Sequence, residues 1–146
     1  KQHAGFIEHS YIGSWVNLGA DTNNSDLKNN YSKIKIKLSN KEVDTGSQFL
    51  GLMIGDHSKS AINTMFNTGT VVGFSCNIFA PGFPEKYVPS FTWGGDASST
   101  VYDIKKAIET AKIVMSRRKI DFEKKDDLMF STIFDLTKND REKRGY

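Results

Sequence analysis

Apolar and small residues recur every six positions between residues 54 and 82. The first positions of successive sixes are Ile54, Ser60, Phe66, Val72 and Ile78, four of which are apolar. Four places further on in each six stand Ser58, Thr64, Thr70, Cys76 and Gly82, all small or compatible with a strand. A six-residue period with one apolar and one small inward position is typical of a parallel β-helix, in which three sixes close one triangular coil of about 18 residues.

The same frame is present nearer the N-terminus. There the leading positions are Phe6, Ile12 and Leu18, and Ser10, Val16 and Thr22 follow four places later. The competing interpretation is a β-sandwich of short strands, but a sandwich should show a period of two. The sequence therefore predicts a mainly β protein built as a parallel β-helix over residues 1–96.

Residues 24–50 are predicted to form an insertion, because the frame breaks at Asn24 and Lys28. Long loops in repeat proteins are often functional. Within the insertion, KIKIKL alternates strictly and predicts an extended segment with Lys33, Lys35 and Lys37 on one face. The lysine face has two interpretations, a solvated surface or a surface that attracts a phosphorylated ligand.

The period changes to that of a helix after Thr100. We expect a capping box of Thr100 and Asp103 and an apolar helical stripe of Ile104, Ala107, Ile108, Ala111, Val114 and Met115. A second amphipathic helix, roughly residues 124–137, would direct Leu128, Phe130, Ile133, Phe134 and Leu136 to a core. Residues 97–146 are thus predicted to be a C-terminal α-helical appendage with a frayed charged tail, and not an independent domain.

Composition narrows the class of protein. The net charge of +3 over 146 residues is mild, so we expect neither nucleic acid nor membrane as a partner. The single Cys76 excludes an internal disulfide framework and a cysteine zinc cluster, as suits the cytoplasm. Because the chain starts at Lys1 without methionine, we expect it to be a fragment.

The succession HAGFIEHSYIGSWVNLGADT, NNY, IGDHSKSAIN, VVGFSCNIFAPG and VPSFTWGG carries a family resemblance. Residues 1 to about 96 resemble the left-handed β-helix acetyltransferase domain of the bacterial bifunctional N-acetylglucosamine-1-phosphate uridyltransferase/glucosamine-1-phosphate acetyltransferase. They are most similar to an alternative bacterial branch of sugar nucleotidyltransferases. The resemblance implies a left-handed coil, an acetyl-CoA co-substrate, a sugar-phosphate acceptor and a homotrimer with its sites between subunits. The nucleotidyltransferase domain, with its Mg²⁺, is expected to be missing, and no Gly-rich nucleotide loop occurs here.

The resemblance also implies roles for individual residues. His3 corresponds to the family's catalytic histidine, Asn17 and Phe6 to its sugar-binding asparagine and tyrosine, and Ala20 and Ala80 to alanines that contact the coenzyme. After a short insertion, Asn30 and Tyr31 correspond to its Asn-Tyr pair at the coenzyme. A phosphate-binding lysine falls on Lys33, Lys35 or Lys37, with Lys33 and Lys35 preferred. Phe6 lacks the hydroxyl of a tyrosine, and Asp21 replaces a glycine.

Amine acetylation by a thioester needs a base and donors for an oxyanion, which an imidazole and backbone N–H groups can supply. In a regular frame Asp21 follows His3 by one full coil, so it would stack on His3 and orient the imidazole. His9 and His57 are expected at corners, Cys76 in the core and Trp93 at the β-helix end. No metal site is expected, because six-residue spacing puts His3 and His9 on different faces. The two hypotheses are an amino-sugar-phosphate acetyltransferase and a non-catalytic trimerisation β-helix of a sugar-1-phosphate nucleotidyltransferase.

Overall fold

Short strands repeat along the three faces of a parallel β-helix. The computed structural model describes residues 4–146. The strands are β1 (Gly5–Phe6), β2 (Tyr11–Ile12), β3 (Thr22–Asn24), β4 (Lys35–Leu38), β5 (Lys41–Asp44), β6 (Met53–Ile54), β7 (Lys59–Ser60), β8 (Met65–Phe66), β9 (Val71–Val72), β10 (Asn77–Ile78), β11 (Tyr87–Val88), β12 (Thr92–Gly94) and β13 (Thr100–Val101). The helices are α1 (Ile104–Ser116), α2 (Lys124–Leu136) and α3 (Lys138–Glu142).

Each face of the β-helix is a parallel sheet of stacked strands. The first face has the order β11-β9-β6-β2, the second β12-β10-β7 and the third β1-β3-β8. On the second face a bridge from Asn17 to Lys59 adds the first coil, while β13 joins β12 in antiparallel orientation. The predicted parallel β-helix with a helical appendage is therefore confirmed, and the β-sandwich is excluded. Its left-handed sense stays a prediction from the resemblance.

The columns predicted to point inward form the core. Ile54, Phe66, Val72 and Ile78 are at most 2% exposed, and Ser58, Thr70 and Cys76 are completely buried. The buried threonine hydroxyls donate to the carbonyl oxygen three residues earlier, at Thr22, Thr64, Thr70 and Thr92. Because a buried polar group without a partner is costly, these bonds allow polar residues to line the interior.

Corners of the coils also follow the six-residue period. Backbone φ is positive at His9, Trp15 and Asp21, and again at His57, Asn63, Gly69 and Ser75. The left-handed conformation suits glycine and is tolerated by Asn and Asp, but it is strained for bulky side chains. The corner positions predicted for His9 and His57 are confirmed.

The first coil is shorter than the sequence frame implies. The step from Gly5 to its partner Thr22 is one residue shorter than the step from Met53 to its partner Val71, which is a full coil of three sixes. Phe6 therefore stacks on Asn23, which points outward between the buried Thr22 and Asn24. The prediction that Phe6 leads an inward column is wrong, and its side chain is 50% exposed.

The insertion forms an antiparallel hairpin of β4 and β5. Asn24 still belongs to the core, where its side chain accepts from Glu8 N at 2.9 Å, so the frame breaks later than expected. Ile34 is completely buried and packs close to Gly69, while Lys33, Lys35 and Lys37 are exposed. The predicted extended segment is confirmed.

The helical appendage packs on one aromatic cluster. Phe74 and Phe91 from the coils contact Phe130 of α2, with ring centroids 4.7 and 6.1 Å apart. The predicted stripe of α1 is confirmed, since Ala107, Ala111 and Met115 are buried. No helix within residues 4–146 has the length and apolarity to cross a membrane.

Several predicted details of this region are wrong. Asp103 alone caps α1 by accepting from Lys106 N at 3.0 Å, because Thr100 belongs to β13. Leu128 and Leu136 are 66% and 77% exposed and do not pack. The tail is ordered through α3, where the buried Arg141 donates to Ser90 O at 3.3 Å.

Candidate functional site

The third face of the β-helix carries exposed apolar side chains. Phe6 and Met65 point outward from its strands, and Phe83 lies beside it with 58% of its surface exposed. The first face is partly covered by the hairpin and by α3, whose Asp140 accepts from the Tyr87 hydroxyl at 2.8 Å. The end of α1 lies beside the second face. The third face thus presents an open apolar surface formed by Phe6, Met65 and Phe83.

One corner between the second and third faces brings several predicted residues together. The pairing of Asn17 with Lys59 and of Lys59 with Asn77, continued by three residues, stacks Ala20, Ile62 and Ala80 in one column. Asn63 N donates to Ala20 O at 2.9 Å, which fixes the lower step of the column. Both alanines proposed to contact the coenzyme therefore lie on the same corner.

His3, the predicted base, lies outside the described residues. Its neighbour Ala4 reaches the same corner, because Asp21 N donates to Ala4 O at 2.6 Å. Asp21 adopts a positive φ of 59°. Glycine takes this left-handed conformation without steric cost, which explains why the family has a glycine at this position. The expected stacking of Asp21 on His3 assumed a full coil, and the shortened register aligns Asp21 with Ala4 instead.

Asn17 lines a cleft between the second face and the end of α1. The cleft has a volume of about 530 Å³ and is lined by Trp15, Val16, Asn17, Lys59, Val114, Arg117 and Arg118. Lys59 is half-buried, and its Nζ donates to His57 O at 2.8 Å. Burial lowers the pKa of the Lys59 ammonium, since desolvation disfavours its charge. The cleft is strongly cationic.

His57 lies behind Lys59 and is only 4% exposed. Burial, reinforced by the charge of Lys59, lowers its pKa to about 4, so the imidazole is neutral at pH 7. Its ring lies against Trp15 and Phe130, and its Nδ1 has no hydrogen-bond partner among the described residues. This histidine is a packing residue under the floor of the cleft.

Asn30 lines a groove on the far side of the third face. The groove has a volume of about 470 Å³, and its other side chains include Lys28, Asn67 and Phe83. Tyr31 is exposed beside it, and its carbonyl oxygen accepts from Gln48 Nε2 at 2.8 Å. The groove and the alanine corner flank the open third face.

The loop lysines belong to neither of these surfaces. Lys35 Nζ lies 3.0 Å from Glu42 Oε1 across the hairpin, and this partner raises the Lys35 pKa. Lys33 is exposed, and its carbonyl oxygen accepts from Lys28 Nζ at 2.9 Å. Neither lysine lines the cleft or the groove.

Sequence reasoning missed the cationic cleft. Lys59 stacks on Asn17 in the next coil, but the whole insertion separates the two residues along the chain. The six-residue spacing therefore does not pair them. Arg117 and Arg118 belong to the appendage, whose packing against the second face is not encoded by a local pattern. The adjacent arginines and the lysine amid small residues were the available signals.

Glu8, His9 and Asp26 form a small polar cluster at another corner. His9 Nδ1 lies 2.8 Å from Asp26 Oδ2, and the three ligand atoms lie within 4.8 Å of one another. All three side chains are at least partly accessible to solvent. The cluster ties the first coil to the base of the insertion.

Trp93 lies in β12, the last parallel strand of the second face, so its predicted place at the β-helix end is confirmed. The outer edge of β12 is covered by β13 and not by the Trp93 ring. Its ring contacts Phe79 at 5.2 Å and Tyr102 at 5.0 Å, centroid to centroid.

Two curated proteins are similar to this chain. A bifunctional sugar-1-phosphate nucleotidylyltransferase/acetyltransferase of Sulfurisphaera tokodaii is 30% identical over 80 residues, which are 55% of this chain and 20% of that protein. A bifunctional protein GlmU of Methanocaldococcus jannaschii is 29% identical over 91 residues, or 62% of this chain and 22% of that protein. The aligned segment spans about a fifth of the length of these relatives. No protein-family model matches the chain.

Proposed function

We propose that the chain is an acetyl-CoA-dependent N-acetyltransferase. The proposal is supported by its similarity to the two bifunctional proteins, which confirms the resemblance that the motifs predicted. Its acceptor is glucosamine-1-phosphate or a related amino-sugar phosphate, in nucleotide-sugar biosynthesis. The observation that carries this proposal is that Ala20 and Ala80 stack on one corner of the β-helix, with Asn17 on the second face three residues before Ala20.

The proposed reaction needs a base and no covalent nucleophile. The neutral amine attacks the thioester carbon, a C–N bond forms, and His3 takes the amine proton. The C–S bond then breaks, and the CoA thiolate leaves and is protonated to the thiol. Backbone N–H groups at the corner are the proposed donors to the oxyanion.

The acyl donor is proposed to lie along the open third face. Ala20 and Ala80 have no side-chain bulk beyond Cβ, so a thin pantetheine arm can approach that corner closely. Asn30 and Tyr31 are proposed to contact the coenzyme from the groove on the other side. A second copy of the chain would cover the exposed Met65 and Phe83, which supports a homotrimer with its sites between subunits.

The test is release of CoA thiol from acetyl-CoA in the presence of glucosamine-1-phosphate, followed with a chromogenic thiol reagent. We expect His3→Ala to lower kcat by roughly 10²- to 10⁴-fold with little change in acetyl-CoA binding. His9→Ala is the matched control, since His9 lies at the adjacent corner. Full turnover by His3→Ala would remove the base from the mechanism.

One observation favours the alternative, a non-catalytic trimerisation β-helix. Phe6 stands where the family has a tyrosine, its ring is exposed on the open face, and it offers no hydroxyl to a sugar. This alternative expects a trimer that releases no thiol with any amino-sugar phosphate. Phe6→Tyr would then fail to create activity, whereas in an active enzyme it should lower the KM for the sugar.

A further inference from the structure

We propose that the cationic cleft formed by Trp15, Asn17, Lys59, Arg117 and Arg118 binds the phosphate group of the sugar substrate. The assignment rests on the proposed function for the identity of the ligand. It replaces the hairpin lysines Lys33 and Lys35 as the phosphate-binding groups. The observations behind it are the charge, the shape and the position of the cleft.

The charge of the cleft is not neutralised within the protein. Among residues 4–146, Lys59, Arg117 and Arg118 form no ion pair with a carboxylate, whereas Lys35, Lys125, Lys138 and Arg144 each do. Within the described part of the chain, three cations and no carboxylate line the cleft, so a bound dianion would be attracted by all three side chains. Arginine and lysine are also the side chains that recognise phosphate best.

Lys59 is held in place before any ligand binds. Its aliphatic stem is half-buried, and its Nζ uses only one donor on His57 O, at 2.8 Å. An ammonium has three donors, so two are free to face the cleft. Burial disfavours the charged form of Lys59. The attraction between this ammonium and a bound anion is therefore stronger than it would be at a fully solvated lysine.

The shape suits a small ring with a phosphate. A volume of about 530 Å³ lies within the usual range of small-molecule sites. Trp15 forms one wall and packs against the His57 ring, with centroids 6.3 Å apart and an interplanar angle of 22°. Its flat face can contact the apolar side of a sugar ring, and Asn17 offers an amide to the hydroxyls.

The position of the cleft links it to the proposed reacting corner. Asn17 lines the cleft, and Ala20 lies on the corner three residues further along the chain. Three extended residues span about 10 Å, which is comparable to the length of a hexose phosphate. A sugar anchored by its phosphate at Lys59 would therefore present its amine toward the corner.

Direct binding tests this assignment without turnover. The chain has two tryptophans, so Trp93→Phe leaves Trp15 as the only tryptophan, inside the cleft. In that background we titrate glucosamine-1-phosphate, glucosamine, inorganic phosphate and CoA separately. We expect glucosamine-1-phosphate to change the Trp15 signal at the lowest concentration, and the affinity to fall in high salt.

Variants then assign the phosphate contacts. Arg117→Gln with Arg118→Gln, and Lys59→Gln, should each weaken glucosamine-1-phosphate binding about tenfold or more. Lys59→Arg keeps the charge and should therefore weaken binding less than Lys59→Gln does. The charge-matched control is Lys105→Gln with Lys112→Gln, on α1 itself, which ends just before Arg117; both lie outside the cleft, and the pair should change the affinity less than about twofold.

The outcomes separate this inference from the proposed function. Binding in the cleft without thiol release would support the inference and contradict the acetyltransferase. Thiol release with an unchanged sugar KM in the Lys59→Gln and arginine variants would overturn the inference and keep the enzyme. No Trp15 response to the sugar phosphate, or a stronger response to CoA, would also overturn it.

Discussion

The imidazole of His57 lies nearly parallel to the indole of Trp15, with an angle of 22° between the rings, and is buried against Phe130 of α2. The contact joins a coil corner, the cationic cleft and the helical appendage. Because the ring is buried and its Nδ1 is unpartnered among the described residues, this junction tolerates only the neutral histidine.

Stability should therefore fall in mild acid. The pKa of His57 is lowered to about 4 in the folded protein, from 6.5 for the ordinary side chain. The unfolded chain then binds the proton more readily than the folded protein does. The contribution of neutral His57 to the free energy of unfolding is therefore complete above pH 6.5 and is lost progressively down to pH 4. We expect a loss on the order of 2 kcal/mol, measured by urea unfolding across that range. His57→Phe should flatten the profile, whereas His9→Phe should not.

Cys76 should be inert in the folded protein. Its thiol is completely buried, burial raises its pKa to about 11, and its Sγ donates to Pro89 O at 3.1 Å. Since the thiolate is the reactive form, an aromatic disulfide reagent should label less than about a tenth of Cys76 in native protein and all of it in denaturant. Rapid labelling of native protein would contradict the burial. The same inertness keeps the background of a thiol-release assay low.

Gly19 should resist substitution, because the coils approach each other closely there. A Cβ on Gly19 would collide with the backbone carbon and oxygen of Ala61 in the next coil. Gly19→Ala should lower the free energy of unfolding by about 2 kcal/mol or more. Gly46→Ala is the comparison, since Gly46 has open space and only its φ of +69° opposes a side chain. Equal losses for both variants would contradict close coil contact.

The open third face should mediate trimer formation. Met65→Glu places a charge among exposed apolar side chains, so we expect light scattering to report a monomer for this variant and a trimer for the wild type. Ile113→Glu is the matched control, because Ile113 is exposed on α1, away from that face. A wild-type monomer at micromolar concentration would contradict the expectation.

The periodic part of the fold was predictable because each coil repeats the same six-residue pattern of inward and outward side chains. Columns such as Ile54 to Ile78 have a side chain every six residues whose burial follows from the period alone. Phe6 was misplaced because a single residue is missing from its coil, and a one-residue shift turns a side chain to the opposite face. Leu128 looked like a core residue because periodicity reports an apolar helix face but not whether a partner covers it.

The candidate site was predictable only where it follows the repeat. Ala20 and Ala80 share a corner, and Asn17 lies on the adjoining face, because the register of the coils carries them there. Lys59 lies beside Asn17 although the whole insertion separates them along the chain, and the two arginines lie beside both because the appendage packs on the second face. Long-range packing of this kind leaves no local signal. The cationic cleft therefore has no counterpart in any local sequence pattern.

The hairpin insertion has a consequence for the order in which the coils assemble. Tyr11 pairs with Met53 across the whole insertion, whereas later neighbours on the same face pair across a single coil. Closing the longer loop costs more chain entropy, so the uninterrupted coils from residue 51 onward should fold first and serve as the template for residues 4–24. In native-state hydrogen exchange, the amide of Gly13 should open more readily than that of Gly55, although both donate at 2.9 Å. The segment that carries Asn17 and Ala20 is then the last to be ordered, and a bound sugar phosphate would slow its opening.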